Sequence, residues 1–297
     1  MNSVSIKVPA STSNLGSGFD TLGLAVKLYN VIRVERNSGS RVEFDWELAA
    51  DDRRWFAEAL GAASKVFFRS TKVKSFGVRV GLKAEVPMAR GLGASATIRV
   101  GFIAALNELA GTQLSRAALL EMATELEGHP DNASPAIFGG FTVSGRIGKS
   151  VRCLSFPVES KLRCVTLIPK FGISTEAARR LLPAKYPKAD AAHGLNRAAL
   201  IAAAFSSRKY EMLRGLFDDR FHQPYREKLL PLLSRVIAAG ERAGALGGFL
   251  SGSGSSIMCL TLDRPAAVAR AMRRVLPDSA VMILSPDVSG FQVLRRK

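Results

Sequence analysis

Histidine and cysteine are scarce in this 297-residue chain, three of each. So few histidines argue against a histidine-rich metal site, and Cys153, Cys164 and Cys259 form neither a CxxC pair nor an even-numbered framework. They read as small buried hydrophobes, with no disulfide or metal role. Long apolar runs are missing too. The longest, Ala198 to Phe205, is far short of a membrane span, and the opening MNSVSIKVPA lacks the basic segment and apolar core of a signal peptide. The expectation is a cytoplasmic protein with no membrane partner.

What the chain has in excess is positive charge, 42 Lys and Arg against 25 Asp and Glu, a net +17. Such a balance draws polyanions, either nucleic acids or phosphorylated small molecules, or it reflects only a basic solvated surface. The basic residues are spread through the chain and form no aromatic-punctuated stripe, which speaks against nucleic acid. At 47% hydrophobic and 23% charged residues the composition is that of a globular protein with room for two domains.

Between Phe76 and Val86 apolar and non-apolar residues alternate strictly, the pattern of a half-buried strand. Trp55, Phe56, Ala59, Leu60, Ala63, Val66 and Phe67 recur at helical spacing. Further strands are expected at Val4 to Val8, Val31 to Glu35, Gly140 to Ser144, Val151 to Phe156, Arg163 to Ile168 and Ala280 to Leu284, with a strand pair around Gly252 to Gly254. Helices are expected at Ser95 to Ala110, Ser115 to Glu127, Thr175 to Leu182, Ala191 to Ser206, Tyr210 to Leu216, Leu230 to Ala243 and Pro265 to Val275. Strands followed by runs of helices, without regular βαβ alternation, predict an α+β protein. The polar segment PVESK suggests division into residues 1–158 and 159–297 with a cleft between.

Two loops attract attention. PASTSNLGSGFD (Pro9 to Asp20) makes five of the eight residues from Ser11 to Gly18 serine or glycine, and reads as an ordered loop between strands. EVPMARGLGASATIRVG (Glu85 to Gly101) sets a glycine loop between the alternating strand and a helix, where backbone N–H groups and the helix dipole hold anions. It is no P-loop, since no lysine follows the second glycine. It formally fits the dinucleotide pattern GxGxxA, but helix follows helix where a second strand ending in an acid is required. Phosphate binding remains ahead of a ligand-free turn. Ser95 can cap the helix or ligate Mg²⁺, and Glu121, Glu125 and Glu127 are acids on the next helix.

PASTSNLGSGFDTLGLAV, VPMARGLGASAT and GGFLSGSGSSIMCL together resemble, in order and spacing, the three motifs of the GHMP small-molecule kinases. EGHPDNASPAIFGGF and ISTEAARRLLP narrow the resemblance to the homoserine-phosphorylating branch of that family. The resemblance runs from Val8 to about Met258. It implies an N-terminal domain like the second domain of ribosomal protein S5, a ferredoxin-like C-terminal domain, and transfer of a phosphoryl group from ATP, with Mg²⁺, to the hydroxyl of L-homoserine. It carries Asp20, Thr175 and Arg179 over as catalytic residues, and Asn14, Asp20, His129, Asp131, Asn132, Arg179 and Arg226 as the amino-acid pocket. ATP falls to Pro87, Met88, Ala89, Arg90, Gly91, Leu92, Gly93, Ala94, Ser95, Ala96 and Thr97, and the metal to Ser95 and Glu127. A homodimer is a further family expectation. The residues themselves leave blander readings: Asp20 as a turn carboxylate, His129 as a helix-end ring, the arginines as surface charge, Thr175 as a helix cap.

Three departures stand out: Ala94 where the family's loop has a serine, Ser255 where it has a proline, and Ser17. The rivals are a GHMP kinase for a mevalonate- or shikimate-type alcohol, which would not need the amino-acid pocket, and a non-catalytic nucleic-acid binder, which would need neither Ser95 nor Glu127.

Overall fold

The computed structural model describes residues 2–45 and 50–296. Its elements, in chain order, are β1 (Ser3–Asn14), β2 (Gly18–Asn37), β3 (Val42–Phe44), α1 (Ala50–Thr71), β4 (Gly77–Ala84), α2 (Ala94–Ala110), α3 (Arg116–Glu127), α4 (Ala133–Phe138), β5 (Phe141–Ile147) and β6 (Ser150–Phe156). There follow β7 (Arg163–Ile168), α5 (Thr175–Arg180), α6 (Lys188–Ser206), α7 (Gln223–Arg226), α8 (Leu233–Arg242), β8 (Gly247–Leu250), β9 (Ile257–Thr261), α9 (Pro265–Val275), β10 (Ala280–Leu284) and β11 (Gln292–Arg296).

The first sheet has seven strands in the order β11-β1-β2-β4-β3, with β5 on the opening stretch of β2 and β6 beyond it. The 20-residue β2 makes this possible: Leu22 to Leu24 pair with β5, and Asn30 to Asn37 with β4. Helices α1 to α4 cover one face, and α2 runs through the middle of that layer. Its residues are apolar almost all round and 13 of them are buried, as expected of a helix with neighbours on every side. Ile6, Ile32, Phe67, Phe102 and Leu106 are among the residues of this core.

The second sheet is antiparallel in the order β10-β7-β9-β8. Counted from β7, that is a 4-1-3-2 order with a helix between the first and second and between the third and fourth strands, the βαββαβ ferredoxin-like arrangement. Val236 of α8 and Val268 and Met272 of α9 pack onto Val165, Leu167 and Cys259. A third core joins the two halves: Ala10, Leu24 and Phe141 from the first sheet meet Phe205, Tyr210, Phe249 and Met258. Phe141 and Phe205 stack with centroids 4.1 Å apart. All three cysteines are free, Cys164 and Cys259 buried and Cys153 half-buried; burial pushes the Cys153 thiol up to about 11 and that of Cys164 to about 12.

Several expectations are corrected. The stretch Pro9 to Asn14 is strand, and only Leu15 to Ser17 turn between β1 and β2. Its small polar residues hide the alternation because this end of β1 is buried on both faces, with Ser11 donating to Asn132 Oδ1 (3.0 Å) and the Thr12 and Ser251 hydroxyls in hydrogen-bond contact at 2.8 Å. Tyr210 to Leu216 is one short 3₁₀ turn, Tyr210–Leu213, after which Gly215 adopts φ 74°. The helix expected from Leu230 starts at Leu233, past Pro231. Strand β11, not anticipated, returns to the first sheet and pairs with β1. Arg116 secures that return by donating to the carbonyls of Ile137 (2.7 Å), Ser289 (3.0 Å) and Phe291 (3.0 Å).

Candidate active site

A cavity of about 630 Å³ lies between the two sheets, walled by the β1–β2 hairpin, the glycine loop, the segment 126–132, the start of α5, and the turn between β8 and β9. Its floor is built by backbone that glycine alone can supply. Gly91 and Gly93 both have φ 70°; a Cβ on Gly91 would lie 2.0 Å from the Ser251 carbonyl oxygen, and one on Gly93 2.2 Å from Ser11 Oγ. Gly93 caps α2 without any side-chain hydrogen bond, and the first turn holds no acid. The first N–H groups of a 17-residue helix therefore remain for an anion.

The loop is tied to the second domain by Ile173 N–H to Ala89 O (3.0 Å), Ser256 N–H to Arg90 O (3.1 Å) and Ser251 Oγ to Gly91 O (2.6 Å). Of the residues expected to hold ATP, Met88 to Gly91 and Gly93 to Ala96 line the cavity. Pro87, Leu92 and Thr97 do not. Leu92 is fully buried in the shared core, and Thr97 Oγ1 donates to Ala94 O (2.7 Å) while accepting from Asn30 Nδ2 (2.8 Å). Arg90 turns its guanidinium away to the carbonyls of Pro169 (3.0 Å) and Lys170, so its charge clamps the domains together.

Beyond the glycine loop stands a hydroxyl–carboxylate pair. Ser95 Oγ donates to Glu127 Oε1 at 2.8 Å, and Arg99 Nη1 reaches both, at 2.9 Å from Ser95 Oγ and 2.5 Å from Glu127 Oε1. Serine and glutamate oxygens are hard donors suited to a divalent cation beside phosphate, and this pair fits one. Glu125, by contrast, pairs with Arg69 on the surface, so among the acids of α3 Glu127 is the one turned inward. Arg99 was missed by sequence reading, although it lies one helical turn after Ser95, a spacing that puts both on one face.

At the opposite end the polar groups converge. Asn14, with φ 71°, accepts from the Asp20 N–H at Oδ1 (3.1 Å) and donates through Nδ2 to Gly252 O (3.1 Å). Asp20 Oδ1 accepts from Arg179 Nη2 at 2.6 Å. Arg226 is 2% exposed and donates to Gly252 O (2.9 Å); burial first, and the neighbouring Arg179 second, lower its pKa to about 10. Both guanidiniums sit over the Phe19 ring, 5.2 and 5.3 Å from its centroid. Thr175 faces the cavity, and the cap of α5 is Ser174, whose hydroxyl accepts from Ala177 N–H.

His129 Nδ1 and Asp131 Oδ1 are 2.6 Å apart, and Asn132 bridges from Ser11 and Ser13 to that pair. Burial by itself disfavours the His129 imidazolium, but the hydrogen bond and charge of Asp131 outweigh it and raise the pKa. For Asp131, burial is likewise overcome by His129, and the carboxyl is held below its usual range. Ligand atoms of Asp20, His129 and Asp131 lie within 4.8 Å of one another, yet each is already engaged by a partner.

Beneath the pocket lies His222, fully buried and also unanticipated. Its Nε2 lies 2.9 Å from Gly16 O and its Nδ1 3.2 Å from Arg226 Nη1, which assigns the proton to Nε2 and leaves Nδ1 as acceptor. Burial lowers its pKa to about 4. The ring is neutral, so its 3.6 Å approach to Asp219 is no ion pair. Asp219 instead accepts from the N–H groups of Phe221, His222 and Gln223 and fixes the turn that carries them.

A glycine loop at an uncapped helix N-terminus, a hydroxyl–carboxylate pair and a facing polar pocket, set between two α+β domains, have the form of a small-molecule kinase site. The chain belongs to the GHMP kinases: residues 57–140 match the GHMP kinases N terminal domain and residues 200–278 the GHMP kinases C terminal domain. It is 38% identical to homoserine kinase of Caldicellulosiruptor bescii over 98% of this chain and 96% of that one, and 33% identical to homoserine kinase of Clostridium kluyveri over 99% and 100%. The crystal structure of homoserine kinase from Cytophaga hutchinsonii superposes with a TM-score of 0.89 at 25% identity, covering 99% of this chain and 98% of that one. A crystal structure of mevalonate kinase shares the fold alone, at a TM-score of 0.67 and 16% identity. As a GHMP kinase related to homoserine kinases over its full length, the chain is an ATP-dependent phosphotransferase acting on a hydroxyl. None of its helices, among the described residues, is long and apolar enough to cross a membrane.

Proposed function

We propose that this protein phosphorylates the side-chain hydroxyl of L-homoserine to give O-phospho-L-homoserine, a step toward threonine, in the cytoplasm. The observation that carries the reading is the pocket of Asn14, Asp20, His129, Arg179 and Arg226 directly across one cavity from the glycine loop. An amino acid presents a carboxylate, an ammonium and a hydroxyl. Two arginines match the carboxylate, and the Asp20 carboxylate beside them matches the ammonium and the hydroxyl, a set of charges that an alcohol without the amino-acid groups would not use.

In this reading residues 1–158 carry the nucleotide and residues 159–297 contribute Thr175, Arg179 and Arg226. The glycine loop and the N-terminus of α2 would hold the phosphates, and Ser95 and Glu127 would hold Mg²⁺, which would supply neutralisation of the phosphate charge. Asp20 accepts the hydrogen bond of the reacting hydroxyl and aligns its oxygen with the γ-phosphorus. The new O–P bond forms as the bond to the ADP oxygen breaks, and the hydroxyl proton leaves toward Asp20. Arg179 and Arg226 hold the substrate carboxylate, and His129, held by Asp131, turns its free Nε2 to the substrate.

The test is ADP release with Mg²⁺-ATP and a panel of L-homoserine, L-serine, L-threonine, mevalonate and shikimate. Turnover confined to homoserine is expected. Turnover with mevalonate or shikimate would remove the amino-acid pocket and keep the kinase.

A further inference from the structure

Ser95 Oγ and Glu127 Oε1 do not stand open. Arg99 Nη1 lies within hydrogen-bond reach of both, and the ion pair is well enclosed, its side chains 18% and 10% exposed. A guanidinium there supplies what a divalent cation would, positive charge and directed contacts to two hard oxygens. Yet the arrangement leaves Arg99 incompletely served. Its Nε is buried with no hydrogen-bond partner, and the guanidinium sits 5.8 Å from the centroid of the cavity-lining Trp55 ring. A buried donor without a partner has lost its hydration with nothing in return. The side chain is therefore held by Glu127 and Ser95 while part of it would gain from moving into the cavity, where a nucleotide's phosphate oxygens would accept from a planar fork.

We propose that Arg99 is a resident cation of the metal site: it occupies the Ser95–Glu127 pair when no metal is bound, and competes with the divalent ion for those two oxygens. This rests on Ser95 and Glu127 being the metal pair. Arg99 is a positioning residue. Its guanidinium keeps the largely enclosed Glu127 carboxylate compensated between turnovers and sets the metal concentration at which the pair is taken over.

The experiment measures Mn²⁺ binding by electron paramagnetic resonance, with and without saturating ADP, for the unsubstituted protein, Arg99→Gln, Arg99→Lys and Glu127→Gln, together with the melting temperature of each protein as Mn²⁺ is added. Arg99→Gln is expected to bind Mn²⁺ about tenfold more tightly, as loss of a partly buried competing charge implies. It should also start from a lower melting temperature without metal and gain more on adding Mn²⁺, because binding to the folded state stabilises it. Arg99→Lys, which restores the charge, is expected to fall back toward the unsubstituted affinity. Equal or weaker Mn²⁺ binding by a folded Arg99→Gln overturns the proposal, as does a lysine variant that behaves like the glutamine one. Should Glu127→Gln bind Mn²⁺ and Mn²⁺-ADP as tightly as the unsubstituted protein, the metal pair itself is misassigned, an outcome separate from any effect of Arg99.

Discussion

Asp20 and Arg179, 159 positions apart in the chain, meet at 2.6 Å across the mouth of the cavity. The carboxylate comes from the first hairpin, at a φ of 53°, and the guanidinium from the last turn of α5 in the other domain. Both side chains are about a third exposed, so the pair adds little to stability. Its value lies in aiming two opposite charges at one small volume.

Replacing Asp20 by asparagine preserves shape and removes the charge. The expected result is a kcat lower by roughly 100-fold or more, the usual range for a lost proton acceptor, with a melting temperature nearly unchanged. Arg179→Ala is expected to act mainly on KM for the amino acid. Steady-state kinetics on the two variants distinguish these effects, and a kcat within threefold of the original for Asp20→Asn would count against its role.

Gly93→Ala tests the floor of the proposed phosphate site. The added Cβ would lie 2.2 Å from Ser11 Oγ and 3.1 Å from Asn132 Oδ1, at a left-handed φ. A cost of about 1–3 kcal/mol in stability is expected from the strained backbone, together with weaker nucleotide binding, read by thermal melting and ADP titration. Gly148→Ala is the control: it has a comparable positive φ, 61°, but its Cβ would meet nothing within 4 Å. It should lose stability alone and keep its affinity for ADP.

Among the α3 acids, Glu127→Gln is expected to raise the Mg²⁺ concentration needed for half-maximal activity at least about tenfold. Glu125→Gln, which only loses the surface pair with Arg69, should leave that concentration unchanged.

The buried His222 predicts how stability responds to acid. Its pKa is about 4 in the folded protein against the ordinary 6.5, so between those values the unfolded chain binds the extra proton, and stability rises with pH. The contribution is complete above pH 6.5 and is lost as pH falls toward 4, worth roughly 3 kcal/mol for a shift of this size. His129, whose pKa is raised, acts in the opposite sense: its contribution is complete below 6.5 and fades as pH climbs through the folded value. Denaturant unfolding from pH 4 to 7 should therefore show a rise that flattens in His222→Gln. An unaltered slope in that variant would mean that another group carries it.

The local elements were legible where one residue pattern dictated one structure. The alternation of Phe76 to Val86 contains β4, Gly111 and Gly128 stop α2 and α3 as anticipated, and the glycine loop sits at a helix N-terminus. These depend on backbone sterics and on a period that neighbouring residues share. The motif residues Asn14, Asp20, His129, Asp131, Asn132, Thr175, Arg179 and Arg226 stand out in the chain through the segments that carry them, and all line one cavity.

What only the tertiary structure decided depends on who approaches whom. The PASTSN segment is strand because two domains bury it, a fact invisible to a pattern that needs an exposed face. Arg90 and Arg99 both lie in or near the glycine loop, yet the first clamps carbonyls of the other domain and the second occupies Glu127. Neither the neutral ring of His222 nor the return of β11 to the first sheet leaves a trace in local sequence. Local sterics and periodicity act over a few residues and are written in the chain; desolvation, charge pairing and the choice of partner act across space, and exist only once the chain has folded.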